Sequence, residues 1–207
     1  VNRPGSAQAQ ILIGQLGITR HQQPDYFISL LGSTYFGGSF NSRLNENIRV
    51  KRGLSYGAYG GNRAKKMAGT FEVTTFTKNE SAAETVNVIL EQIKAFRTVE
   101  PTDSEFYDNR NYFVGSFAGQ RETPQAVAGD LWLLESQELG KDYFKKLFNA
   151  LDNADKADCI EMAQKVIDPE TLVIVVVGDA DTLSESLSTI APVKVIEPEA
   201  SQQAALN

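Results

Sequence analysis

The chain of 207 residues contains one cysteine, one histidine and one tryptophan, and its longest apolar run, Leu172–Val177, is six residues. Each scarcity closes off a class of protein. A single cysteine, Cys159, excludes an intrachain disulfide framework, and its amphipathic surroundings read as a small core or boundary position. That usage fits a reducing or an oxidising compartment and leaves the localisation open. One histidine, His21, in the polar turn RHQQPD, cannot build a zinc site with one distant cysteine, because protein zinc sites draw on several His, Cys or carboxylate ligands. The chain therefore reads as holding no metal and no cofactor of its own. There is no G-x-S-x-G elbow to make a Ser-His-Asp hydrolase. A six-residue apolar run is far short of the ~20 residues of a membrane span, and no signal peptide is visible at the start.

What is present is ordinary globular material: 42% hydrophobic and 22% charged residues, with a formal net charge of -6. The opening residues VNRPGS begin at Val1 rather than Met and read as a linker remnant (1–7) of a longer protein. Residues 8–196 read as a single domain, and 197–207, EPEASQQAALN, as a disordered tail. No composition break divides the domain and no short-period repeat appears.

The periodicities give an element order. QAQILIGQLGI (8–18) alternates as a strand, with Ile11 and Ile13, and with them Leu16, turned inward. A helix over 26–35 ends at Gly37-Gly38. A second starts at Ser39 or Asn41 and runs to about Lys51, with Gly53 as its stop. Strands over 55–62 and 70–77 flank a basic turn, Arg63–Lys66. Two capping boxes, Ser81-x-x-Glu84 and Thr102-x-x-Glu105, open helices. Thr123-Pro124 opens another, which carries Val127, Leu131 and Leu134. Two more helices fit 143–150 and 154–167. TLVIVVVGDA reads as a central strand buried on both faces. A short helix over 182–189 and an edge strand over 193–196 follow. Strands and helices are segregated, so the fold class is α+β: a mainly antiparallel sheet with helices on one face.

One stretch stands out: FGGSFNSRLNENIRVKRGLSYGAYGG (36–61). Between Asn41 and Lys66 the chain carries Arg43, Arg49, Lys51, Arg52, Arg63, Lys65 and Lys66 against Glu46 alone. Such an asymmetry marks a place where something negative or polar is handled. Glycines before a helix suit an anion, but neither phosphate-loop spacing is present. Basic residues interleaved with Tyr56 and Tyr59 suit a nucleic acid, but the acidic remainder of the chain would repel a polyanion, so no nucleic-acid partner is expected. A third option is a peptide. Arg49 and Tyr56 lie seven apart, with Gly53 between them, so spacing alone does not bring them together. If the fold does, a guanidinium and a phenol could grip peptide carbonyls or a developing oxyanion. The plain alternative is a surface arginine and a half-buried strand tyrosine.

The same stretch is similar to the G-G-x-x-x-S-R-L, L-R and G-L-x-Y sequence of the pitrilysin/insulinase family of zinc peptidases, which includes the mitochondrial processing peptidases. The likeness extends through AGTFEV and LVIVVVGD, over roughly 5–196, and is to the zinc-less C-terminal-type domain. It implies the processing-peptidase-like metallohydrolase fold and a substrate-binding half of a zinc metalloendopeptidase. In such proteins Arg49 and Tyr56 would bind the peptide substrate and support the transition state. A homologous half, in the same chain or a partner subunit, would supply the H-x-x-E-H zinc. By itself this chain would be inactive. Ile48 stands where the family commonly has Leu, and Val50-Lys51-Arg52 where acidic residues are common. The alternative within the same fold is a non-catalytic structural subunit, and a weaker one is an anion or nucleic-acid binder.

Overall fold

The computed structural model describes residues 1–198. In chain order these form β1 (Gln8–Gly17), α1 (Asp25–Phe36), α2 (Arg43–Asn45), which runs on into a π-helical turn (Glu46–Val50), β2 (Ala58–Arg63), β3 (Gly69–Lys78) and α3 (Ala82–Thr98). A second π-helical turn (Ser104–Asp108) leads into α4 (Asn109–Gly119). Then come α5 (Pro124–Ser136), α6 (Tyr143–Asn153), α7 (Lys156–Val166), β4 (Val173–Val177) and α8 (Ala180–Ser188). The four strands form one sheet in the order β2-β3-β1-β4, every pairing antiparallel. This is the α+β architecture that the segregated pattern predicts.

The alternation of side chains along a strand decides which face is covered. Ala9, Ile11 and Ile13 of β1, Phe71 and Val73 of β3 and Ala58 of β2 are all fully buried. They pack under α1 and α3, where Phe36 stacks on Phe96 at 4.6 Å and lies 5.7 Å from Phe71. Leu16 departs from the expectation: it is 80% exposed, because it has the parity of Leu12 and Gly14, the opposite face from Ile11 and Ile13.

Further expectations are corrected. β4 is an edge strand rather than a central one, and Val173 is 60% exposed. Among the described residues only Val1–Arg3 pair beyond it, near its C-terminal end, through a parallel bridge between Asn2 and Gly178. Residues 193–196 form no strand, although the Asn2 N–H donates to the Ile196 carbonyl at 2.8 Å. Ser81 makes no side-chain cap: a 3-10 turn over Asn79–Ser81 feeds α3 directly. The Thr102/Glu105 box does form, the Thr102 N–H donating to Glu105 Oε2 at 2.8 Å and the Glu105 N–H to Thr102 Oγ1 at 3.1 Å. Thr123 caps α5 as its proline predicts. The apolar residues of α5, however, are covered only in part: Val127 and Leu131 are exposed, as is Trp132, while Leu134 packs against the core. Val1 and Arg3 are hydrogen-bonded to Val176 and Gly178, so the presumed linker is docked at its start. The expected tail lies, from residue 199, outside the described residues. Among the described residues no helix is long and apolar enough to cross a membrane.

Candidate functional site

The stretch singled out by its charge folds as a helix, a turn and a strand held against one another by short backbone approaches. The Gly60 N–H donates to the Gly37 carbonyl at 3.2 Å. A Cβ on Gly37 would lie 2.6 Å from both the Gly60 nitrogen and a Leu44 methyl. That explains the glycine pair: the chain entering α2 and the strand leaving the site touch backbone to backbone, which only glycine allows. Gly53, at φ +63, turns the chain after the π-helical segment.

Asn45 ties the site together. It is buried, and its Nδ2 donates to the Ser39 carbonyl (3.1 Å) and Ser42 Oγ (3.4 Å), while its Oδ1 accepts the Ala58 N–H (3.0 Å). One carboxamide thus joins the residue before Phe40 to the start of β2. From the sheet, Thr75 Oγ1 donates to the Gly57 carbonyl at 2.8 Å and Thr77 Oγ1 to the Leu54 carbonyl at 2.6 Å. The Leu54 N–H donates to the Ile48 carbonyl at 2.9 Å. Tyr56 stands in the middle of this pinned segment, and its side chain is 86% exposed. The backbone is fixed on either side and the phenol is presented to solvent.

Arg49 lies on the π-helical turn, where a local i→i+5 bond, from the Lys51 N–H to the Glu46 carbonyl, widens the helix. Its guanidinium rests 4.2 Å from the centre of the Phe40 ring, a cation–π contact, and Phe40 is itself 65% exposed. Among the described residues Arg49 makes no ion pair. Arg49 and Tyr56 neither hydrogen-bond nor stack on each other. They leave opposite ends of one short connection, and the Gly53 N–H donation to the Arg49 carbonyl (3.1 Å) bridges part of it.

The rest of the basic cluster is accounted for differently. Arg43 makes a forked pair with Glu105 (2.7 and 2.9 Å) and donates to the Val99 and Glu100 carbonyls past the end of α3. It also lies over the buried Tyr35 ring at 5.1 Å. Burial alone would push the Glu105 carboxyl up, but the hydrogen bonds from Arg43 and Thr102 outweigh it and hold it below its usual range. Burial pushes the Tyr35 hydroxyl upward, and the buried Cys159 thiol up to about 12, so Cys159 is an inert core thiol. Lys51 pairs with Glu46, Arg52 with Glu91, Arg63 with Glu72 and Lys66 with Glu138. Arg49 and Lys65 are left without a carboxylate partner among the described residues. The local positive charge is mostly internally paired. No group of three or more His, Cys, Asp or Glu is placed to hold a metal among the described residues.

Sequence reasoning singled out Arg49 and Tyr56 but missed Phe40, Asn45, Thr75 and Thr77. The threonines occupy inward positions of an alternating strand, a visible signal. Nothing in the sequence marked Asn45 or Phe40.

This fold and this helix–turn–strand belong to one class of protein. The family model described as Peptidase M16 inactive domain matches residues 1–113, and the chain belongs to that family. A curated relative, the non-peptidase homolog YmxG of Helicobacter pylori, is 32% identical over 87 residues, 42% of this chain and 20% of that protein. A solved peptidase M16 inactive domain from Pseudomonas fluorescens is 26% identical, with a TM-score of 0.79 over 86% of this chain and 42% of that one. A protease structure from Helicobacter pylori shares the fold at 16% identity, with a TM-score of 0.71 over 86% of this chain and 42% of that one. A chain of complex III2 from Candida albicans shares it at 11% identity and a TM-score of 0.69, over 93% of this chain and 48% of that one. The chain thus spans less than half the length of each of these relatives.

Proposed function

We propose that this M16 inactive domain is the substrate-binding half of a zinc metalloendopeptidase, with a homologous half, in the same chain or a partner subunit, carrying the zinc. The observation that carries the reading is the contrast in the basic cluster. Among the described residues Arg49 alone of its arginines lacks a carboxylate, and it is steadied by the exposed Phe40, while the exposed Tyr56 stands on a fixed backbone a few residues on. A charged fork without a hydrogen-bond partner among the described residues, on the same short connection as an exposed phenol, suits peptide carbonyls and the negative charge that develops on one of them during hydrolysis. Their fixed mounting means little ordering is required when the substrate arrives. In this reading Arg49 and Tyr56 orient the peptide and support the transition state, while the water attack belongs to the other half.

The test uses the assembled enzyme. Arg49→Ala and Tyr56→Phe should each lower turnover of a peptide substrate by about 10²–10³-fold, the scale of losing one oxyanion donor, with zinc content unchanged. Full activity in both variants would sink the reading.

A second reading is a non-catalytic structural subunit of the same fold. The description of the Helicobacter pylori relative as a non-peptidase homolog favours it. An assembled native protein that binds no zinc and cleaves no peptide would establish it.

A further inference from the structure

The arginines of the charged stretch are held in two ways. Arg43 commits its N–H groups to Glu105 and two carbonyls. Arg52 pairs with Glu91 and donates to the Asn47 carbonyl at 3.0 Å, and Arg63 pairs with Glu72. Each of these is gripped by the rim that carries its donors. Arg49 is held by a ring instead, its guanidinium carbon 4.2 Å from the centre of Phe40. A guanidinium is planar, with five N–H donors along its rim, and a phenyl ring attracts it through the π face. A ring contact therefore fixes the group and leaves the rim open.

Phe40 is itself fixed and does little else. The Ser42 N–H and Asn45 Nδ2 both donate to the Ser39 carbonyl, at 3.2 and 3.1 Å, and the Gly38 N–H donates to the Ser33 carbonyl at 2.8 Å. The backbone on both sides of residue 40 is therefore held. The ring is 65% exposed, and among the described residues the guanidinium is its one ring contact. An apolar ring left in water contributes little to folding, so packing does not account for its placement. A rival for the guanidinium stands nearby. Glu46 precedes Arg49 by three residues on the same helical segment, a spacing at which long side chains meet. Its present partner is Lys51 at 3.7 Å, and both side chains are about half exposed, so that pair is weak and gives way readily.

We infer that Phe40 is a positioning residue for Arg49. Its ring holds the guanidinium by the face, away from Glu46, and keeps the N–H rim open to a peptide carbonyl and to the charge that develops on it. The effect on turnover rests on the substrate-binding reading above; the hold of the ring on the guanidinium does not. Removing the ring releases the side chain to Glu46, which closes the fork with the wrong carboxylate. Because the released group is needed in the transition state, the loss falls on kcat and KM moves little. The Asn45 carboxamide that fixes Ser39 also fixes Ala58, so the mounts of Arg49 and Tyr56 share one anchor.

The test uses the assembled protein. Phe40→Leu keeps the apolar bulk and removes the ring; it should lower kcat about tenfold, the scale of a cation–π contact partly shielded from water, with KM little changed. Phe40→Tyr keeps the ring and should recover most of kcat. Adding Glu46→Gln to Phe40→Leu removes the competing acid and should recover part of it. In an Arg49→Ala background Phe40→Leu should cost nothing further. With arginine selectively labelled, the NMR signal of the Arg49 Nε–H should carry a ring-current shift that Phe40→Leu abolishes and Phe40→Tyr retains. Urea midpoints should match the parent throughout, and Phe40→Met serves as a second ring-less variant should Phe40→Leu fold poorly. An Nε–H signal that does not move when the ring is removed would overturn the hold, with or without turnover. Full kcat in Phe40→Leu where Arg49→Ala is impaired would overturn the positioning role. So would equal losses in Phe40→Leu and Phe40→Tyr, or an undiminished Phe40→Leu loss in the Arg49→Ala background. If Arg49→Ala keeps full turnover while the ring-current shift is present, the substrate-binding reading falls and the hold of Phe40 on Arg49 stands.

Discussion

Arg43 and Arg49 are six residues apart on one helical segment, and the molecule uses them in opposite ways. Around Arg43 the chain closes in. The guanidinium is forked onto Glu105, donates to two carbonyls at the end of α3 and covers the Tyr35 ring. Around Arg49 the chain opens, leaving the guanidinium on the exposed ring of Phe40 without an acid. The residue type is the same. What differs is whether a carboxylate is brought to meet it. The comparison separates an arginine that holds the fold from one that is available to a ligand.

Substitutions should break that comparison unequally. Arg43→Met leaves Glu105 half-buried without its cation and two carbonyls without a donor. It should cost about 3 kcal/mol of unfolding free energy, by the scale for breaking a partly buried pair. Arg43→Lys should recover little, since an ammonium cannot reproduce the fork. Asn45→Ala, at the boundary between the closed and open regions, strands a buried amide and a carbonyl and should cost about 2 kcal/mol. Urea titration measures both.

Acid should act on the closed region first. The Glu105 pKa is lowered on folding, so its stabilisation is complete above the ordinary carboxylate value of 4.5 and is lost as pH falls through the folded value below it. In Arg43→Met that part of the acid sensitivity should shrink, which parallel unfolding curves below pH 4.5 would reveal. Arg49→Ala and Tyr56→Phe should be the mildest, within about 0.5 kcal/mol of the parent, because Tyr56 is exposed and the half-buried Arg49 has no carboxylate partner to strand among the described residues. A large stability loss at either would mean the open region is structural after all.

Much of the fold was legible because its signals are local. Alternation marked β1 and β3, Thr102/Glu105 and Thr123-Pro124 marked helix starts, and glycines marked the stops. Where the reading failed, the deciding term was not local. Ser81 has the right partner three residues on, but the preceding 3-10 turn had already set its backbone. β4 has the composition of a buried strand, and composition cannot say which neighbours are present. For the site, sequence similarity pointed to Arg49 and Tyr56, while the local excess of positive charge overstated what is free. Glu72, Glu91, Glu105 and Glu138 come from later in the chain to neutralise most of it. Asn45 and Phe40 were illegible because their roles exist only once Ser39 and Ala58 have been folded against each other.

Glu105 has a consequence that reaches past this molecule. Its Oε2 receives both the Thr102 amide of its own helix start and one arm of Arg43 from a helix 62 positions away. A change that shortens or removes the carboxylate uncaps one helix and unpairs the other at once. Positions 43, 102 and 105 should therefore behave as a single heritable unit: the three single substitutions overlap rather than add in a triple-mutant cycle, and a family member that replaces one of them should carry a replacement at another.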